Sequence, residues 1–270
     1  MKIDLHIITS HTHNCRNDIE RMITQAEEAG LDAIAITDID TMSACTSAAK
    51  ASDTMLIIPG MTVNTDRGTH LIGLFLTEEI TGRDIFEVID EIHAQGGLVM
   101  VPYPFRPNVG LLFNRFKNNR YTGEDMTRIL SRIDLIEACT YGASEEELAA
   151  TDQYLQSVPD IPQVAGSFPR IEDHVGRAYV ELEDITADSL VEVKKALLTA
   201  SRTMRFEAYS LDETITGKTT TIKGKRRTLH WRGKTRFGRP LMKSLKNVWR
   251  HTFGRMRTAD QERKDVTSAQ

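Results

Sequence analysis

The sequence predicts a parallel-stranded, barrel-like α/β domain followed by a basic extension. Three observations predict it. Short apolar runs alternate with amphipathic helical stretches from residue 2 to about residue 200. Polar residues recur where the apolar runs end, at Asp4, His6, Asp38, His70, Glu137 and Ser167. The charge then changes sign near Lys218, where an acidic body gives way to a basic tail.

The elements follow in order. Lys2 to Asn14 reads K-I-D-L-H-I-I-T-S-H-T-H-N, a strand with Ile3, Leu5 and Ile7 alternating against Asp4 and His6, then a loop carrying His11 and His13. Asn17-Asp18-Ile19-Glu20 offers a cap and an acidic first turn; Ile19, Met22, Ile23 and Ala26 share a helical face, and Gly30 stops the helix. Leu31 to Ile36 is a buried strand ending at Thr37-Asp38, and a small-residue helix covers about 42–51. Met55 to Ile58 is the next strand, closed by Pro59-Gly60. Met61 to Thr65 and His70 to Leu76 form a hairpin about Asp66-Arg67-Gly68.

Further on, Asp84 to Gln95 is an amphipathic helix, and Leu98 to Val101 a strand running into Pro102-Tyr103-Pro104. A helix lies around Glu124 to Arg132, a strand over Asp134 to Ala138, and a helix capped by Ser144 over Glu145 to Leu155. Gln163 to Ala165 and Ala178 to Leu182 are strands, and Asp188 to Ala200 is the last helix.

Composition bounds the class. With 270 residues, 40% hydrophobic and 27% charged, the chain has the balance of an ordinary water-exposed globular protein. No apolar run approaches the roughly 18–20 residues of a membrane span. The start M-K-I-D-L-H enters a strand directly, without a signal-peptide pattern. Cys15, Cys45 and Cys139 are odd in number and far apart, which points to a reducing cytoplasmic location. No G-x-S-x-G and no G-x-x-x-x-G-K-[ST] occurs, so neither a nucleophile elbow nor a phosphate-cradling loop is expected. Cys139 stands at a strand end without an assigned histidine base.

The strand ends carry ordered partial motifs: D-L-H-I-I-T, A-I-A-I-T-D-I-D, I-P-G-M-T, G-T-H-L-I-G-L, G-G-L-V-M-V-P-Y-P, D-L-I-E and A-G-S-F-P-R, with V-G-R-A-Y-V closing the series. In type and order they resemble the PHP (polymerase and histidinol phosphatase) domain over roughly residues 2–200. The resemblance implies a distorted (β/α)7 TIM-like barrel. It also implies a mouth where His, Asp and Glu hold two or three metal ions that hydrolyse phosphate esters. Against that pattern Ile8, Ile39, Thr62, Tyr103, Phe168 and Arg170 stand where ligands are expected, and His13 replaces an acid. His6 and His70 remain as recognisable ligands, with Asp4, Asp38 and Glu137 as outer groups.

A hydrolytic zinc site takes about three protein ligands and an open position. The expectation is therefore a catalytically degenerate barrel without a cofactor, in which Arg170 fills the old cavity and pairs with Asp4 or Asp38. The competing expectation is a weak phosphoesterase acting on a small phosphate ester. It would hold one Zn, Mn or Fe ion through His6 and His70, helped by His11, His13 or the Asp173-His174 pair.

From 218 to 257 there are 14 Lys or Arg and no acidic residue; from 218 to the end the net charge is +13, against −17 for the rest. The division expected is a barrel over 1–212, a basic arm over 213–240, a basic amphipathic helix over 241–257 and a disordered terminus over 258–270. In the helix Leu241, Leu245, Val248, Trp249, Phe253 and Met256 recur at helical spacing, with Lys243, Lys246 and Arg250 mostly elsewhere. Trp231, Lys243, Lys246, Trp249, Arg250 and Phe253 are the candidate contacts. Docking on an acidic barrel, an anionic membrane surface at the inner face, and single-stranded nucleic acid are the partners weighed, in that order.

Overall fold

The computed structural model describes residues 1–113 and 120–207. Among the described residues nine strands form one sheet: β1 (Lys2–Ile7), β2 (Ala33–Ile36), β3 (Leu56–Asn64), β4 (His70–Leu74), β5 (Leu98–Val101), β6 (Leu135–Thr140), β7 (Gln163–Gly166), β8 (Ala178–Leu182) and β9 (Arg202–Phe206). The described residues also hold six α-helices: α1 (Ile19–Glu28), α2 (Cys45–Ala51), α3 (Ile85–Ala94), α4 (Gly123–Leu130), α5 (Glu145–Leu155) and α6 (Leu190–Thr199). Among the described residues the chain divides into two units, one of 1–113 with 132–207 and a smaller one holding 120–131. Every strand lies in the first. The second contributes α4, which starts with a capping box between Thr122 and Asp125. The expected arm, amphipathic helix and terminus, with Trp231, Lys243, Lys246, Trp249, Arg250 and Phe253, lie outside the described residues.

The sheet runs β7-β6-β5-β4-β3-β2-β1-β8-β9. It curls until the end of β7 reaches β1, where Phe168 N–H donates to the His6 carbonyl at 2.7 Å. A barrel sheet is buried on both faces, so its strands read as continuous apolar runs. In β2 the small Ala33 and Ala35 join Ile3, Leu5, Ile58 and Val164 in one core cluster. Ile34 and Ile36, on the other face, pack with Met22, Ile23 and Ala26 of α1 and Ala48 of α2. Each fully buried aliphatic side chain contributes roughly 1.5–3 kcal/mol.

The helices begin where side chains satisfy the first free N–H groups. Asp18 accepts from Arg21 N–H, Asp84 from Phe86 N–H, and Ser144 with Glu147 forms a second capping box.

Three expectations change. The expected hairpin sets β4 antiparallel to β3, but β4 is also antiparallel to β5, and β8 and β9 run antiparallel to their neighbours, so only β1-β2-β3 and β5-β6-β7 are parallel. Pro59-Gly60 does not close a strand, because β3 continues through it. Pro59 is the last residue paired with β2 and Gly60 the first paired with β4, so the missing N–H falls at the changeover. A Cβ on Gly60 would stand 2.6 Å from the Gly73 carbonyl oxygen, which explains the glycine. Finally, β9 was not expected; in R-T-M-R-F only Met204 is buried, too weak a pattern for a lone sequence to reveal.

Candidate functional site

β1 delivers Asp4 and His6 to the mouth of the barrel, β2 leads to Asp38, β6 carries Glu137, and β5 and β7 lead to Tyr103 and Phe168. All six are buried. The His6 ring sets Nδ1 at 3.1 Å from Glu137 Oε1, with both side chains fully buried. Glu137 Oε2 accepts from the Tyr103 N–H at 2.7 Å and the Thr140 hydroxyl at 2.6 Å. Because a carboxylate can only accept, it sets the imidazole with its proton on Nδ1. His6 Nε2 is buried and has no hydrogen-bond partner among the described residues.

What surrounds that nitrogen is aromatic. The rings of Phe168 and Tyr103 lie 4.7 Å and 5.3 Å from the His6 ring, and they meet each other edge-on at 5.4 Å. Ile8, Tyr103 and Phe168 form one buried cluster, with Cys15 and Val109 at its margin. Tyr103 (φ 29°) and Phe168 (φ 40°) both occupy left-handed backbone, a conformation costly for bulky residues and held only where the surroundings fix it. The Tyr103 hydroxyl reaches His70 Nδ1 at 2.5 Å, and burial pushes its pKa well above the usual phenol value.

The other carboxylates are closed by donors of the chain itself. Asp38 accepts from the Thr9 N–H (2.6 Å), the Thr9 hydroxyl (2.7 Å) and the Thr12 hydroxyl (2.6 Å). Asp4 accepts from the N–H groups of His6, Ser167 and Gly176 at 3.2, 2.9 and 3.2 Å, tying β1 to the segments after β7 and before β8. Thr62, at an expected ligand position, donates its hydroxyl to the Thr37 carbonyl, and Ile39 is half-buried beside it in a bridge to Thr62.

Burial, outweighing the three N–H donors, pushes the Asp4 pKa from 3.8 up to about 7. The folded chain therefore holds a proton that the unfolded chain releases. This contribution to stability is complete below about pH 4 and is lost as pH rises through about 7. Urea unfolding of wild type and Asp4→Asn at pH 5 and pH 8 is expected to show wild type losing stability relative to the variant at the higher pH. An unchanged difference would contradict it.

The structure corrects two expectations. Arg170 does not enter the mouth. It is exposed, its guanidinium lies 4.5 Å above the Phe168 ring, and Asp4 and Asp38 already have other donors. Nor do the histidines gather. His6 is fully buried, whereas His11 and His13 are exposed, and His11 Nδ1 is engaged with the Ser43 hydroxyl at 2.8 Å. His174 packs edge-on against Tyr141 at 4.8 Å. Among the described residues no group of three or more His, Cys, Asp or Glu is arranged to hold a metal ion.

Sequence reasoning missed Thr9, Thr12 and Asn17, whose side chains knit the loop after β1. Asn17 Nδ2 donates to the Ile8 and Pro169 carbonyls at 3.1 and 2.9 Å. It also missed Arg106, which lies 4.6 Å over Tyr103 and 5.2 Å over Phe168 while its Nε stands 3.5 Å from Glu147. Nothing in P-F-R-P singles that arginine out. Cys139 is no nucleophile, since burial pushes its thiol up to about 12.

A nearly closed barrel with its polar strand ends gathered at one mouth is the PHP-type fold. Solved structures bear this out. A two-domain protein from Bacteroides vulgatus containing a predicted PHP-like metal-dependent phosphoesterase superposes with a TM-score of 0.60 at 14% identity, over 76% of this chain and 64% of that one. An amidohydrolase from Chromobacterium violaceum, with bound sulfate and no metal, gives 0.54 at 13% identity over 72% and 96%. No family model matches the sequence. The chain belongs to one family with the uncharacterized protein MJ1587 of Methanocaldococcus jannaschii, to which it is 30% identical over 120 residues, 40% of this chain and 70% of that protein. No helix among the described residues is long and apolar enough to cross a membrane.

Proposed function

We propose that the protein is a catalytically degenerate PHP-type barrel serving as a binding or scaffold module, attached to an anionic surface or a protein partner through its basic tail. The observation that carries this reading is the cluster of Ile8, Tyr103 and Phe168 packed against His6. It occupies positions where the resemblance expects ligands and leaves hydrocarbon there. The residues present do not fit a hydrolytic metal centre. Such a centre takes about three protein ligands and an open position, whereas Asp4, Asp38 and Glu137 are each already bonded to two or three donors. The tail reading rests on charge alone, +13 beyond residue 217 against −17 before it.

One observation favours a second reading, a weak single-metal phosphoesterase. His6 Nε2 is a buried ring nitrogen without a partner among the described residues, on a ring steered by a carboxylate as metal-ligating histidines are. Elemental analysis of the full-length protein, together with p-nitrophenyl phosphate turnover with and without chelator, separates the two. The expected result is metal far below one ion per chain and no turnover above buffer. Near-stoichiometric Zn, Mn or Fe with chelator-sensitive turnover would overturn the proposal in favour of the enzyme.

A further inference from the structure

Outside the plugged mouth, the loops after β1 and β2 place a serine hydroxyl against an imidazole. Ser43 Oγ stands 2.8 Å from His11 Nδ1, and both residues are exposed. The neighbouring bonds fix the direction of the hydroxyl proton. Thr41 Oγ1 lies within reach of both Glu79 Oε1 (2.9 Å) and Ser43 Oγ (3.0 Å). Glu79 Oε1 also accepts the Met42 N–H at 2.7 Å, so its side chain ties this loop together. Thr41 Oγ1 in turn accepts the Ser43 backbone N–H at 3.1 Å. Ser43 Oγ is on the accepting side of its contact with Thr41, which leaves its own hydroxyl proton for the other acceptor in reach, His11 Nδ1. A hydroxyl donating to an imidazole nitrogen, on an exposed loop, is the nucleophile–base half of an acyl-transfer site.

We propose that Ser43 is an activated nucleophile with His11 as its general base, accepting acyl groups from small activated esters. In the step, Ser43 Oγ bonds to the ester carbonyl carbon while the bond from that carbon to the leaving oxygen breaks. The Ser43 proton passes to His11 Nδ1 and from there to the departing oxygen. No metal takes part, so the inference stands apart from the reading of the barrel mouth.

The test uses full-length protein and p-nitrophenyl acetate, with the acetylated residue located by peptide mass mapping. The expected result is a burst of p-nitrophenolate, one acetyl group on Ser43, and a burst abolished by Ser43→Ala. His11→Ala should slow acetylation about 100-fold, at the lower end of what a positioned general base contributes. Ser47→Ala, at an exposed position on α2, should leave the rate unchanged. Acetylation of Ser43 no faster than of Ser47, or a His11→Ala rate within about twofold of wild type, would overturn the proposal.

Discussion

Glu137→Ala is expected to destabilise the fold by on the order of 3–5 kcal/mol, the loss typical when one partner of a buried polar pair is removed. The residue is almost fully buried, and three groups depend on it: His6 Nδ1, the Tyr103 N–H and the Thr140 hydroxyl. All three belong to buried residues. Glu137→Gln should cost less, because one oxygen remains as an acceptor while the new amide faces donors on the other side. The measurement is the urea midpoint with an unchanged slope, which reports stability without a change in the surface exposed on unfolding. An alanine variant within about 1 kcal/mol of wild type would mean that the network does not hold β1, β5 and β6 together.

The second large effect is expected at Gly166. A Cβ there would stand 2.3 Å from the His6 Cβ, 2.8 Å from Glu137 Oε1 and 2.9 Å from the His6 backbone nitrogen. Real atoms do not approach so closely, so Gly166→Ala must push β7 away from β1 at the point where the sheet curls closed. Overpacking usually costs 1–3 kcal/mol. Here the obstructing atoms include backbone, so about 3 kcal/mol or more is expected. Gly68→Ala is the matching control. It has a similar gain in volume and nothing within 4 Å, only a φ of +72°, and it should lose about 1–2 kcal/mol through that conformation alone. If thermal unfolding ranks the two variants the other way, the closure of β7 on β1 is looser than the described contacts require.

Much of the fold was legible because helices and strands leave periodic traces. The cap within Asn17-Asp18, the Ser144 cap and the Asp66-Arg67-Gly68 turn were read in place, and each acts within a few residues of itself. The passage through Pro59-Gly60 and the existence of β9 were not read. Both depend on which strand lies alongside, and that is information a local window does not hold. The site divides in the same way. That Ile8 and Phe168 carry no donor atoms follows from their identity, whereas the expected Arg170 ion pair required knowing where a long side chain points.

The sequence by itself determined the alternation of strand and helix, the polar residues that end the strands and the charge reversal near Lys218. These rest on residue type and short-range geometry. Only the tertiary structure decided that Asp4 and Asp38 are satisfied by backbone and threonine donors, that Arg106 and Arg170 cover the aromatic rings, and that His6 keeps one bare nitrogen. A hydrogen bond needs its partner within about 3 Å and in line, and residues 131 apart such as His6 and Glu137 meet those conditions only after the sheet has curled upon itself.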